Sequence, residues 1–93
     1  MDDRVTLAEV AATARRVADA INADLSRHDE WLAMAAGLTS AVESVAELDP
    51  PEALLDLRSA LVMSRPAWTA IDPGLAADAA RVLAGAKRLA IEL

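Results

Sequence analysis

The sequence predicts an all-α protein: a small antiparallel four-helix bundle that forms one domain over residues 1–93. Aliphatic side chains recur every three or four residues, which is the period of an amphipathic helix. Two Asp-Pro pairs interrupt this pattern, and such pairs are typical of helix starts. The composition is rich in alanine, the strongest helix former, and contains no phenylalanine or tyrosine.

The first two helices are predicted over residues 7–25 and 30–48. Thr6 to Glu9 form a capping-box pattern ahead of the first helix. Its apolar positions are Leu7, Val10, Ala14, Val17, Ile21 and Leu25. A polar break follows, in which either Ser26 or Asp29 caps the second helix. Within that helix, small residues at Ala33, Gly37 and Ala41 indicate close approach by another helix.

The third and fourth helices are predicted over residues 51–65 and 73–91. Asp49 and Asp72 are the expected caps, each followed by a proline. The third helix is expected to stop near Arg65, because the residue before a proline is steered away from helical geometry. A helical turn is predicted over residues 66–71. The apolar positions of the last two helices are Leu54, Leu57, Leu61 and Val62, then Leu75, Ala79, Val82, Ala86, Leu89 and Leu93.

The short connections favour antiparallel neighbours but leave two architectures open. One chain can form the whole bundle, or two chains can share one core, so that dimerisation completes the fold. Small helical domains often gain stability by oligomerising.

Charge and composition exclude several classes of function. The chain has a formal net charge of −6, and its basic residues are not clustered as phosphate binding requires. Nucleic acid is therefore not an expected partner. The longest uncharged stretch, residues 31–42, is short of the roughly 20 apolar residues that a membrane span needs. There is no cysteine, which suits a reducing cytoplasm. We therefore expect a cytoplasmic protein that contacts neither nucleic acid nor a membrane.

No motif for catalysis or cofactor binding is present. His28 is the only histidine, and its acidic neighbours in a polar turn lack the Glu-x-x-His pairs of metal-binding bundles. None of the serines lies in a Gly-x-Ser-x-Gly sequence, and the three isolated glycines cannot form a phosphate-binding loop. The prediction is no enzyme, no metal site and no cofactor.

Large or flexible apolar side chains are the candidates for partner binding. Tryptophan is common at binding hot spots, and methionine adapts to irregular surfaces. The candidate residues are Trp68, Ile71, Met63, Met34 and Trp31. Each tryptophan has two interpretations: a plug that closes one end of the core, or an anchor that docks a partner.

These observations favour a non-enzymatic protein–protein interaction module that binds another protein or a second copy of itself. A small regulator, or a host-takeover or inhibitor protein, from an actinobacterium or its phage fits the alanine- and arginine-rich composition. The alternatives are a structural homo-oligomer and a ligand- or metal-binding bundle. In length and helical character the chain resembles the WXG100 proteins of type VII secretion. Trp31-Leu32-Ala33 lacks the glycine of their Trp-x-Gly bend, so we do not assign it to that family.

Overall fold

The structure, a computed structural model, describes residues 5–24 and 29–92. This part of the chain is all-helical, as predicted, but it contains five α-helices rather than four. They are α1 (Leu7–Ala23), α2 (Asp29–Glu43), α3 (Pro50–Met63), α4 (Arg65–Ile71) and α5 (Pro73–Glu92), with a 3₁₀ turn at Ser44–Ala46. The predicted four-helix count is therefore wrong.

The extra helix, α4, forms where the sequence predicted only a helical turn. Pro66 lies in its first turn, where a missing N–H is tolerated because first-turn amides have no partner within the helix. Proline at this position therefore ends α3 and also starts a new helix. Ser64 is the hinge between α3 and α4 and is fully buried. Its backbone carbonyl accepts the N–H of Trp68 at 3.2 Å.

Of the predicted caps Thr6, Asp49 and Asp72, the first and the last are confirmed by a side-chain hydrogen bond. Thr6 Oγ1 accepts the backbone N–H of Glu9 at 3.1 Å, and Asp72 Oδ1 accepts that of Gly74 at 2.9 Å. Asp49 occupies the cap position of α3, but its side chain makes no capping hydrogen bond. The predicted break at Ser26 lies outside the described residues.

Helix α2 ends five residues before the predicted boundary at Leu48. Ser44 Oγ donates to the carbonyl oxygen of Ser40 at 2.9 Å, a side-chain bond that competes with regular helical geometry. The chain then tightens into the 3₁₀ turn before α3 begins at Pro50. The helix therefore ends at Glu43, although the apolar pattern predicts that it continues to Leu48.

Helix α1 is the centre of the fold because it packs against the other four α-helices. Its predicted apolar positions Val10, Ala14, Val17 and Ile21 are all buried, which confirms the helix register. The core continues through Leu38 of α2, and through side chains of the last three helices: Leu54, Leu57, Leu61, Trp68, Val82 and Ala86.

An ion pair on the surface ties α1 to α5. Arg16 Nη2 lies 2.5 Å from Asp78 Oδ2, and Arg81 of the same helix as Asp78 approaches the other carboxylate oxygen at 3.1 Å. The hydrogen bond from Arg16, followed by that from Arg81, lowers the pKa of the Asp78 carboxyl below its ordinary value. This carboxylate thus joins the first and last helices of the described chain.

Candidate interaction surface

Trp68 lies in the core at the junction of α3 and α4. Its side chain is only 2% exposed. The indole Nε1–H donates to the carbonyl oxygen of Leu61 at 2.9 Å, and Ser64 Oγ donates to the same oxygen at 3.1 Å. Carbonyls in the last turn of a helix lack partners within the helix. Trp68 therefore caps the end of α3 as well as filling the core.

Only one of the five predicted partner-binding residues presents most of its surface to solvent. Trp31 is 7% exposed and belongs to the core, while Met34 and Ile71 are half-buried and pack against it. Met63, in contrast, is 72% exposed. The burial of Trp68 and Trp31 favours the core-plug interpretation of both tryptophans.

Exposed apolar side chains concentrate on α3. In the described part of the chain five large apolar side chains are exposed, and three of them lie on this helix: Leu55, Val62 and Met63, with exposures of 60%, 54% and 72%. Single exposed apolar residues are ordinary, but a cluster indicates a binding surface. We call these three residues the α3 ridge.

Leu55 and Val62 are not among the predicted partner-binding residues, and Val62 is one of the predicted apolar positions of its helix. The signal was present as two apolar doublets, Leu54-Leu55 and Leu61-Val62. Adjacent residues in an α-helix point about 100° apart, so a doublet of large side chains can place one member in the core and the other at the surface. The buried members are Leu54 and Leu61, and the outer members form the ridge.

A groove of about 570 Å³ separates the α3 ridge from α5, and we call it the α3–α5 groove. Leu83, which is buried, belongs to its lining, and small residues of α5 form the opposite wall. The apolar lining residues are Leu55, Val62 and Met63 from α3, and Ala80, Leu83 and Ala84 from α5. The groove offers apolar surface from two helices to a partner.

A second groove of about 260 Å³ lies on the other side of the ridge, between α2 and α3. It contains Gly37, whose neighbourhood is open: a Cβ atom built there meets nothing within 4 Å. The predicted close approach of another helix at Gly37 is therefore wrong for the described chain. Met63 borders both grooves, so it occupies the middle of a continuous apolar surface.

The rim of the α3–α5 groove is cationic. Arg58, Arg65 and Lys87 line it, whereas no carboxylate does. None of the three forms an ion pair with another residue of the described chain. The guanidinium of Arg65 lies over the indole ring of Trp68, 5.6 Å from the ring centroid, within the range of a cation–π contact.

The described residues contain neither a metal-binding cluster nor a membrane-spanning helix. Residues 5–24 and 29–92 hold no group of three or more His, Asp or Glu side chains placed to bind a metal ion, and His28 lies outside these ranges. Among the described helices, none combines the length and hydropathy needed to cross a membrane. No protein-family model, curated protein or solved structure matches this chain.

Proposed function

We propose that this protein is a non-enzymatic protein–protein interaction module that binds its partner through the α3 ridge and the grooves beside it. The observation that carries the proposal is the clustering of exposed Leu55, Val62 and Met63 on one helix, with Met63 shared by both grooves. The described chain carries its other exposed large apolar side chains, Leu32 and Ile91, on different helices.

The ridge offers enough apolar surface for specific but moderate binding. Covering the exposed part of each of its three side chains contributes roughly 1–2 kcal/mol before association costs are subtracted. Methionine adjusts its rotamers to an irregular partner at low cost, which suits Met63 at the centre. The apolar and cationic lining favours binding over chemistry, since it offers contact surface rather than a nucleophile with an adjacent base.

The finer parts of the proposal rest on composition. A small cytoplasmic regulator or inhibitor from an actinobacterium or its phage fits the lack of cysteine and the preference for arginine over lysine. In this role the module would bind a cellular protein and block or redirect that protein's own contacts.

A matched pair of charge insertions tests the proposal. Met63→Glu places a carboxylate on the ridge, whereas Leu32→Glu places one on an exposed apolar position of α2 that lines neither groove. We expect Met63→Glu to reduce capture of a partner from a high-GC bacterial lysate at least ~10-fold, equivalent to about 1.4 kcal/mol. Leu32→Glu should capture it as the unmodified chain does, and circular dichroism should show both variants folded.

Equal capture by the folded Met63→Glu variant would contradict the proposal. Sedimentation velocity over a range of concentrations separates the self-assembly alternative. If the unmodified chain dimerises and Met63→Glu is monomeric, the ridge binds a second copy, and the function is that of a structural homo-oligomer.

A further inference from the structure

We infer that the α3–α5 groove takes an acidic amphipathic helix of the partner protein, with aliphatic residues on one side and Asp or Glu along both edges. This inference rests on the proposed function and specifies the partner's chemistry. It also chooses between the two grooves beside the ridge, because only one of them has a charged rim.

Charge complementarity selects an acidic occupant. The chain has nine Lys and Arg residues against fifteen Asp and Glu, yet three cations and no carboxylate line this groove. A cationic rim on an acidic protein attracts carboxylates and repels basic segments, so it gives both attraction and discrimination. The α2–α3 groove is lined by Ala33, Met34, Gly37, Ala60 and Met63, which carry no charge.

The Trp68 ring helps to position one of these cations. The guanidinium carbon of Arg65 lies over this buried indole, 5.6 Å from the ring centroid, and a cation–π contact at this distance lowers the entropy cost of ordering the side chain when a partner binds. A guanidinium can bind a carboxylate through two parallel hydrogen bonds, which suits Arg65 to an acidic partner. Trp68 thus acts on binding through Arg65, without touching the partner.

The dimensions of the groove suit a helix. Its α3 side extends from Leu55 to Met63, which is roughly 12 Å, or a little over two helical turns, and Arg65 at the start of α4 lengthens it. An amphipathic helix that enters such a groove contacts it with residues spaced at i, i+3 or i+4, and i+7. A partner segment of three to four turns would therefore bury its aliphatic stripe against Leu55, Val62 and Leu83.

Two other occupants fit the groove less well. A second copy of this chain that docked groove to groove about a two-fold axis would bring an identical cationic rim against the first, and like charges would repel. Single-stranded nucleic acid stacks its bases on exposed aromatic rings, whereas this lining is aliphatic and both tryptophans are buried. The combination of apolar lining and cationic rim favours a protein helix.

Two synthetic peptides that differ only in charge provide the test. Each is a fluorescein-labelled helix of about 14 residues, constrained by a hydrocarbon staple, with the same leucine stripe. One carries Glu at the flanking positions and the other carries Lys. Fluorescence anisotropy at about 50 mM salt, where screening is weak, measures the affinity of each for the full chain. We expect the acidic peptide to bind at least ~10-fold more tightly than the basic one.

Charge reversals in the chain locate the site. Arg58→Glu and Lys87→Glu each remove a rim cation, and each should weaken the acidic peptide ~5- to 10-fold while strengthening the basic one. Arg15→Glu is the matched control, since Arg15 is exposed on α1 and lines no described groove. It should leave both affinities within ~2-fold, apart from the common effect of net charge.

Three results would overturn the inference: no binding of the acidic peptide, equal binding of both peptides, or rim reversals that act no more strongly than Arg15→Glu. Displacement of the peptide by a dimer contact or by a single-stranded oligonucleotide of higher affinity would also overturn it. The Met63→Glu capture experiment keeps the two proposals apart. If that variant loses its partner while the acidic peptide fails, the interaction surface stands and only this choice of occupant falls.

Discussion

Truncation of Trp68 to alanine tests whether this residue is the end plug of the bundle. The substitution removes a side chain that is 2% exposed, the indole hydrogen bond to the Leu61 carbonyl oxygen, and the ring beneath Arg65. Ser64 Oγ still donates to the same carbonyl, so that oxygen keeps one partner. The main loss is therefore packing, with the hydrogen bond as a smaller contribution.

The size of this loss follows from burial. Truncation of a buried tryptophan to alanine costs about 3–5 kcal/mol, because the removed atoms lose their contacts and leave a cavity. A 93-residue domain has a total stability of roughly 5–14 kcal/mol at 0.05–0.15 kcal/mol per residue. Trp68→Ala should thus remove about a fifth or more of that stability and lower the Tm by roughly 15–30 °C.

Urea unfolding followed by far-ultraviolet circular dichroism measures this change without relying on tryptophan fluorescence. Trp68→Phe keeps a six-membered aromatic ring but deletes the N–H donor and part of the packing, so it should cost less than Trp68→Ala, about 1–2 kcal/mol. Met63→Ala is the matched truncation of an exposed residue and should stay within about 0.5 kcal/mol of the unmodified chain. If Trp68→Ala costs less than about 1 kcal/mol, the core-plug reasoning is refuted.

Three further predictions concern other parts of the fold. Val17→Asp would bury an unpaired charge at a fully buried position of α1, so we expect an unfolded or molten state by near-ultraviolet circular dichroism; a native Tm would contradict the helix register. Gly37→Ala should stabilise the chain by about 0.5–1 kcal/mol in urea unfolding, because the added Cβ has open space on an exposed helix face; a loss of stability would contradict that geometry. The pKa of Asp78 is lower in the folded chain than its ordinary 3.8, so as pH falls the unfolded chain takes up the proton first. The ion pair therefore stabilises the fold fully above pH 3.8, and this stabilisation is lost as pH falls through the lowered pKa. Asp78→Asn should therefore cost no more than about 1 kcal/mol at neutral pH, with the difference shrinking below about pH 4; a difference that grows with acid would reverse the assigned sign.

Much of the fold was predictable because its signals are local. The apolar period placed α1 and its buried face correctly, and the Asp-Pro pairs located the starts of α3 and α5. The early end of α2 was not predictable, since the apolar period continues through Val45, whereas the helix gives way to a 3₁₀ turn at Ser44, whose hydroxyl donates to the Ser40 carbonyl oxygen. The number of helices also depended on a tertiary fact: α4 packs against α1 and α5, which stabilises a helix only seven residues long.

The candidate surface was harder to predict than the fold. A tryptophan between two prolines, such as Trp68, indicates a structural or binding role. The sequence does not indicate whether its side chain faces the core or the solvent. Once residues 65–71 are helical, Ala67 and Trp68 turn toward the core together. The ridge was encoded in the doublets at Leu54 and Leu61, but which member of each doublet faces outward depends on where α1 and α5 pack.

The two sides of α3 can be perturbed separately, and this gives the functional proposal its experimental value. Leu54, Leu57 and Leu61 are buried, whereas the three ridge residues are exposed on the same helix. A substitution on the inner side changes the free energy of unfolding and reaches binding only through the amount of folded chain. A substitution on the ridge leaves the core packing in place, so a change in binding there reflects the surface itself. Arg65 is the exception, because it contacts Trp68 and also lines the groove. A substitution of Trp68 would therefore change partner binding through Arg65 as well as the stability of the fold.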